Sequence, residues 1–264
     1  MKYSISNIAW SAENDSEMYA FLSENGFDGI EIAPTRLFSD PYENLERSHL
    51  YAAMLNNRYS LAVSSMQSIW YGIKESIFGS REDRRFLSDY TRKAILFAES
   101  MYIPNMVFGC PRNRNVPEGM GMDEALTRAR EFFRPLGDFA ARHGTALAIE
   151  ANPPIYNTNF LNGTKEACEF ARMVNSPGIK VNIDMGTVIH NAENPHLVKT
   201  YKTVVNHIHL SRPNLDPIED CEEYRTLKKV LGKIDYDRYL SVEMRNTGDV
   251  RAAKRAGAFM KEHF

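Results

Sequence analysis

The chain has little cysteine: three residues in 264, at Cys110, Cys168 and Cys221. They are too few and too scattered for a disulfide framework or a CxxC metal site, and they read as ordinary reduced thiols. Any metal must therefore be sought among oxygen and nitrogen donors. No apolar run approaches the ~18 residues a membrane span requires, so no membrane partner is expected. Charge of neither sign dominates: a net charge of −2 provides no basic field for gripping a nucleic-acid backbone, so no nucleic-acid partner is expected. The first ten residues lack the long apolar core and small-residue cleavage site of a secretory signal. They read as a first strand, and the expectation is a cytoplasmic protein.

What is present is a globular balance, 43% apolar and 25% charged, which is enough to build a core. Strand-like and helix-like segments alternate eight times without a low-complexity linker. Candidate strands begin near Tyr3, Gly29, Leu61, Asn105, Ala146, Lys180, His207 and Tyr239. Helical patterns follow at 17–24, 44–57, 82–101, 123–143, 165–174, 195–204, 222–231 and 249–262. Asn25-Gly26 and His143-Gly144 punctuate helix ends before new strands, where glycine tolerates left-handed backbone angles. Eight such units, in a length close to the ~250 residues usual for the architecture, predict an α/β fold: a single (β/α)8 TIM barrel over residues 1–264 with its active site at the C-terminal face of the strands. Pro135 is expected to kink or divide the helix that starts at Asp123, because it removes a backbone donor. Longer stretches at 70–81 and 110–121 follow strands three and four and suggest a rim enclosing a substrate.

Four segments in the second half alternate apolar with polar residues, and each polar face ends in a metal-binding side chain: Glu150, Asp184, His209 and Glu243. The steps between them are 34, 25 and 34 residues, about one strand-plus-helix unit each, so neighbouring parallel strands can aim all four at one point. Three acids and an imidazole suit Mn²⁺, Mg²⁺, Co²⁺ or Zn²⁺, and a divalent cation is the simplest compensation for three converging negative charges. His209 is chosen over His207 because it lies two residues nearer the C-terminal end of the strand. His207 is expected deeper, as a hydrogen-bonding residue behind the ligands. Glu150 and Glu243 form the candidate catalytic pair, since carboxylates on opposite sides of a substrate can remove and return a proton.

These segments, Ile149-Glu150-Ala151-Asn152, Asn182-Ile183-Asp184-Met185-Gly186, His207-Ile208-His209-Leu210 and Val242-Glu243-Met244, resemble the xylose-isomerase-like TIM-barrel superfamily, especially its sugar-phosphate isomerase/epimerase branch. The resemblance spans nearly all eight units. It implies that Glu150, Asp184, His209 and Glu243 hold the metal, and that the two glutamates act as acid and base around an enediolate. Many relatives place a histidine three residues after the strand-six aspartate; this chain has Thr187 there, with His190 one turn later. Threonine donates a hydrogen bond but lacks imidazole chemistry, so the usual sugar specificity is not expected to carry over.

Around the mouth, Arg36, Arg112, Arg114, Arg212 and Arg245 suggest an anionic carbohydrate held by bidentate hydrogen bonds, with Arg245 and Arg212 as favoured contacts. Trp70 and Tyr71 are placed to stack on a sugar face, and Gln67 and Asn152 to bind hydroxyls. Glu31 either binds a hydroxyl or pairs with a rim arginine, and a homo-oligomer using the exposed aromatics is left open. The leading expectation is a metal-dependent isomerase or epimerase of a sugar, sugar phosphate or related polyhydroxy carbonyl compound. A dehydratase or lyase sharing the first proton abstraction, an AP endonuclease like others of the superfamily, and a noncatalytic carbohydrate-binding barrel are the alternatives.

Overall fold

Parallel strands need helical crossovers, and the alternating pattern supplies one after every strand. In the computed structural model, which describes residues 1–264, eight parallel strands close in chain order, β8 returning to β1. They are β1 (Lys2–Ser6), β2 (Gly29–Ile32), β3 (Ala62–Met66), β4 (Met106–Phe108), β5 (Leu147–Glu150), β6 (Ile179–Asp184), β7 (Val205–Leu210) and β8 (Tyr239–Val242). Ten α-helices accompany them: α1 (Asp15–Glu24), α2 (Pro34–Leu37), α3 (Leu45–Tyr59), α4 (Arg81–Ser100), α5 (Met122–Arg142), α6 (Thr164–Val174), α7 (Met185–His190), α8 (Leu197–Thr200), α9 (Glu222–Lys233) and α10 (Val250–His263).

Each strand is covered on both faces. In β5 every residue is buried: by alternation Leu147 and Ile149 face the helices, while Ala148 and Glu150 face the barrel interior. Under the helices the core is rich in edge-on aromatics, with Phe108 and Phe133 centred 4.8 Å apart and Phe133 and Phe170 5.9 Å apart. The interior of the barrel differs from the usual fill of branched apolar side chains. Ser4, Ser6 and Ser241 are fully buried with unpartnered hydroxyls, and Glu31, His207 and His209 are buried as well. Small residues on strands β1 and β8 leave volume for larger polar ones on β2 and β7.

The register shifts twice, between Ile30 and Glu31 on β2 and between Val181 and Asn182 on β6. A bulge re-aims the side chains that follow it. The extra residue is Ser64 on β3 opposite the first step and Asn206 on β7 opposite the second, so the side chains that follow are Ser65 and then His207 and His209, which come level with Glu31, Asn182 and Asp184. Beyond β6, Asp184 and His209 are direct register partners, as are Glu150 and Asn182.

Two local expectations are corrected. Pro135 neither ends nor divides its helix: α5 runs unbroken from Met122 to Arg142. The proline lies on the solvent face, where the carbonyl it frees can reach water, while buried Phe132, Phe133 and Leu136 hold the helix to the barrel. The segment 195–204 forms only the short α8, because the first turn after β6 is taken by α7, which Asp184 caps with its own carboxylate.

Helix α5 approaches β6 closely through Gly137 and Gly178. A Cβ on Gly178 would collide with the backbone oxygen of Gly137, so the helix or strand would have to move. Gly178→Ala should cost roughly 3 kcal/mol, the upper range for overpacking. Gly232→Ala on α9, where a Cβ meets nothing within 4 Å, should gain roughly 0.5–1 kcal/mol. Urea unfolding of the two variants measures both, and similar midpoints would show that the close approach is not enforced.

Candidate metal and acid-base site

The site is built around His209. Its ring is fully buried, and Nε2 lies 2.9 Å from Glu31 Oε2, fixing the ring through a residue 178 positions away in the sequence. The opposite nitrogen, Nδ1, lies 3.2 Å from Glu150 Oε1 and 3.1 Å from Glu243 Oε2 but is aligned with neither, so it makes no hydrogen bond. A buried nitrogen without a partner, facing two carboxylates, is the arrangement that a cation completes. Its donor set of oxygen and nitrogen fits the hard to borderline divalent metals.

Glu150 comes from the last residue of β5. Asn152 Nδ2 donates to its Oε2 at 3.1 Å and Asn182 Nδ2 to its Oε1 at 2.6 Å. Gly109 makes room for it, since a Cβ there would stand 2.8 Å from Oε2. Arg114 braces the same strand end from behind: its guanidinium donates to Glu150 O at 2.8 Å and to Asn152 Oδ1 at 2.9 Å. Burial pulls the Arg114 pKa down to about 10, still cationic at neutral pH.

Asp184 is held apart from the tight group formed by Glu150, His209 and Glu243. Its carboxylate caps α7, accepting from Thr187 N at 2.8 Å and Gly186 N at 3.3 Å, and it also accepts from the Ser211 hydroxyl. Tyr224 OH donates to Ser211 O at 2.6 Å and so supports that contact. The Thr187 hydroxyl is fully buried, 2.8 Å from Asp184 Oδ2 and 3.0 Å from Ala151 O. Thr187 is therefore placed to orient Asp184, and its hydroxyl is already engaged.

The charges are unequal. Burial pushes Glu243 up to about 7, and the neighbouring Glu150 and Asp184 charges add to the rise against the pull of His209. Burial also works to raise Glu150, but His209 together with the Asn152 and Asn182 hydrogen bonds brings it below the usual carboxylate range. Asp184 is raised, first by burial and then by Glu150. His209 resists burial because Glu31, Glu243 and Glu150 surround it, and its pKa stands well above the ordinary value. A metal at Nδ1 would relieve the same crowding of negative charge.

Of the remaining sequence candidates, Asn152 joins the site directly. Gln67 is buried at the end of β3 with its Oε1 unpartnered. Trp70 is only 2% exposed; its indole donates to Thr91 Oγ1 at 3.0 Å and its ring packs edge-on to Phe108 and Phe132. Tyr71 beside it is the open aromatic, at 72%. Arg212 is paired with Glu219 and Arg245 with Asp216, each at 2.6 Å, so both guanidinium groups already have partners. Arg36 bonds Asp15 and the Trp10 carbonyl. Glu31 meets no arginine: it anchors His209 and lies 3.3 Å from His207 Nε2. The sequence reading passed over Asn182, Ser211 and Tyr156. The first shares Asp184's strand face two residues earlier, a signal that alternation contains. Tyr156, half-buried beside Asp184, Glu243 and Glu150, has its phenol pushed up to about 12 by burial and those charges, and so remains a hydrogen-bond donor.

Removing Glu31 tests the anchoring of His209. Glu31→Ala leaves Nε2 without its acceptor, and metal affinity should fall about 10- to 100-fold, the usual cost of losing the group that orients a ligating histidine. Titration with Mn²⁺ or Co²⁺ measures it; unchanged affinity would show that packing alone holds the ring.

Comparison with known proteins follows the geometry. Residues 19–263 match the family described as xylose isomerase-like TIM barrel. No curated protein sequence matches the chain. Among solved structures, the 3-keto-D-glucoside 4-epimerase of E. coli is 18% identical over 99% of both chains, with a TM-score of 0.78. D-psicose 3-epimerase from Clostridium cellulolyticum H10, solved with D-tagatose, is 14% identical over 100% of this chain and 98% of its own, with a TM-score of 0.83. An AP endonuclease of family 2 from Brucella melitensis is 18% identical over 100% and 99%, with a TM-score of 0.77. At such identities the likeness is one of fold. The family match, covering all but the first 18 residues and the last, places this chain in the xylose isomerase-like TIM barrel family.

Proposed function

We propose that the protein is a divalent-metal-dependent isomerase or epimerase of a sugar or related polyhydroxy carbonyl compound. The observation that carries this reading is the pair of glutamates, Glu150 and Glu243, flanking one unpartnered imidazole nitrogen at 3.2 and 3.1 Å. A metal held for structure alone does not need two carboxylates driven to different proton affinities, whereas proton transfer does. Glu150, Asp184, His209 and Glu243 would hold the cation, which when bound supplies a Lewis acid for a carbonyl oxygen and the hydroxyl beside it.

The chain's own residues account for the rest. One glutamate removes the proton from the carbon bearing that hydroxyl, and the other delivers a proton, to the opposite face for epimerisation or to the neighbouring carbon for isomerisation. Asn152 and Asn182 hold the Glu150 carboxylate by its two oxygens, fixing the direction in which it takes a proton. Tyr156 offers a protonated phenol to a substrate oxygen. Asp184, fixed by Thr187 and Ser211, keeps its position without sharing the proton traffic. The similar epimerases act on ketoses or a keto-glucoside by name, which agrees with a carbonyl substrate. For a nuclease reading, suggested by the Brucella neighbour, three of the rim arginines, Arg36, Arg212 and Arg245, are already ion-paired.

The test is incubation of metal-loaded protein with a panel of ketoses and their phosphates in deuterated water. Deuterium should enter at the carbon beside the carbonyl, with product mass otherwise unchanged; loss of water would move the reading to dehydration, and no exchange across the panel would contradict it. Glu150→Gln and Glu243→Gln keep a carbonyl donor but lose basicity, so exchange should fall about 10²- to 10⁴-fold with metal still bound. Asp184→Ala and His209→Ala should lose metal and exchange together. Near-normal exchange in both glutamine variants would eliminate the paired-glutamate mechanism.

A further inference from the structure

Positive charge around the mouth is mostly neutralised, except on the side that follows β3 and β4. Arg112 and Lys74 are both exposed, and neither makes an ion pair. Glu75 turns its carboxylate onto the Lys74 backbone N–H at 3.1 Å and leaves the ammonium free. Both cations line a cleft of about 760 Å³ between Ser68–Lys74, after β3, and Cys110–Asn113, after β4. That volume lies within the range of small-molecule sites.

The walls are tied together. Asn113 Nδ2 donates to Ile73 O at 3.0 Å and to Glu75 O at 2.8 Å, and Ile77 N donates to Asn113 O at 2.9 Å. Trp70, locked to Thr91, forms part of the lining, and Tyr71 contributes an open aromatic face. The bracing fixes the backbone from which Arg112 and Lys74 project. Behind the wall is Arg114, a third cation that also lacks a carboxylate partner. Its terminal nitrogens are spent on two neutral oxygens and its buried Nε–H has no acceptor. This side of the mouth therefore carries cations that make no ion pair, in contrast to the acid-rich quartet.

The two regions adjoin. Gly109, whose added Cβ would stand 2.8 Å from Glu150 Oε2, is the neighbour of Cys110 in the cleft wall. The cleft wall is thus one residue along the chain from the backbone that packs against the Glu150 carboxylate. Resting on the carbohydrate reading above, we infer that this cleft is a subsite for an anionic substituent of the substrate, a phosphate or a carboxylate, held by Arg112 and Lys74. Arg112 grips two oxygens through its fork, Lys74 adds a point charge, and Tyr71 covers the carbon chain leading to them.

Calorimetric titration of the metal-loaded full chain tests this with D-fructose, D-fructose 6-phosphate, D-glucuronate and phenyl phosphate. At least one anionic sugar should bind about 10-fold or more tighter than fructose. An advantage for the 6-phosphate identifies phosphate as the group held, and one for glucuronate identifies carboxylate. The advantage should vanish in the Arg112→Ala/Lys74→Ala double variant while fructose binding stays unchanged, and Arg112→Lys should retain part of it. Phenyl phosphate, which carries no sugar, should bind and be weakened by the same double substitution. Equal binding of neutral and anionic sugars, an advantage that survives the double variant, or phenyl phosphate binding indifferent to it would overturn the subsite. Anion preference without proton exchange on any ketose would sink the isomerase reading and leave the subsite standing; exchange on neutral ketoses without anion preference would do the reverse.

Discussion

The arrangement depends on one electrostatic constraint: three carboxylates, Glu150, Asp184 and Glu243, are brought around the His209 imidazole in a mouth where water cannot fully screen them. Like charges so placed are costly unless a counterion or a proton relieves them. Each carboxylate is handled separately. Glu150 is satisfied by two amides, Asp184 is spent on a helix start and a serine, and Glu243 is left to rise toward neutrality. Glu31, deeper in the barrel, faces His209 from the other side and keeps the imidazole turned toward the acids. The barrel gives up apolar fill for this, and the serines on β1 and β8 supply the space.

Much of that was legible in the chain. Period-two alternation located Glu150, Asp184, His209 and Glu243 at strand ends, and the even spacing of about one βα unit implied neighbouring strands. Closure of the barrel brings Glu150, His209 and Glu243 together, with Asp184 turned to the start of α7. The preference for His209 over His207 required only the direction of the strand, and the deeper His207 lies beside Glu31, behind His209. Local chemistry was harder to foresee. Asp184 opens α7 because its carboxylate can reach the N–H groups two and three positions on, and a reading focused on ligands passed over that cap.

The rim was the least legible part, for a physical reason. An arginine's charge is visible in sequence, but its partner is a residue brought near only by the fold. Arg245 and Arg212 were favoured as substrate contacts, yet Asp216 and Glu219 occupy them, while Arg112 and Lys74 stand without partners. Trp70 shows the same limit. Its position beyond β3 suggested an open stacking surface, but the indole N–H finds Thr91 on α4 and draws the ring into the aromatic core, leaving Tyr71 as the exposed ring. Register shifts were equally hidden: the extra residues Ser64 and Asn206 bring Ser65 level with Glu31 and His207 level with Asn182.

The central claim is that the unpartnered nitrogen of His209 and the three acids hold one divalent cation. Anomalous diffraction from crystals soaked in Mn²⁺ measures it most directly. The account predicts a single strong peak within about 2.0–2.3 Å of His209 Nδ1 and of oxygens from Glu150, Asp184 and Glu243. A peak seated instead between Glu31 and His207, or no peak at the mouth with His209 still bridging its glutamates, would contradict it.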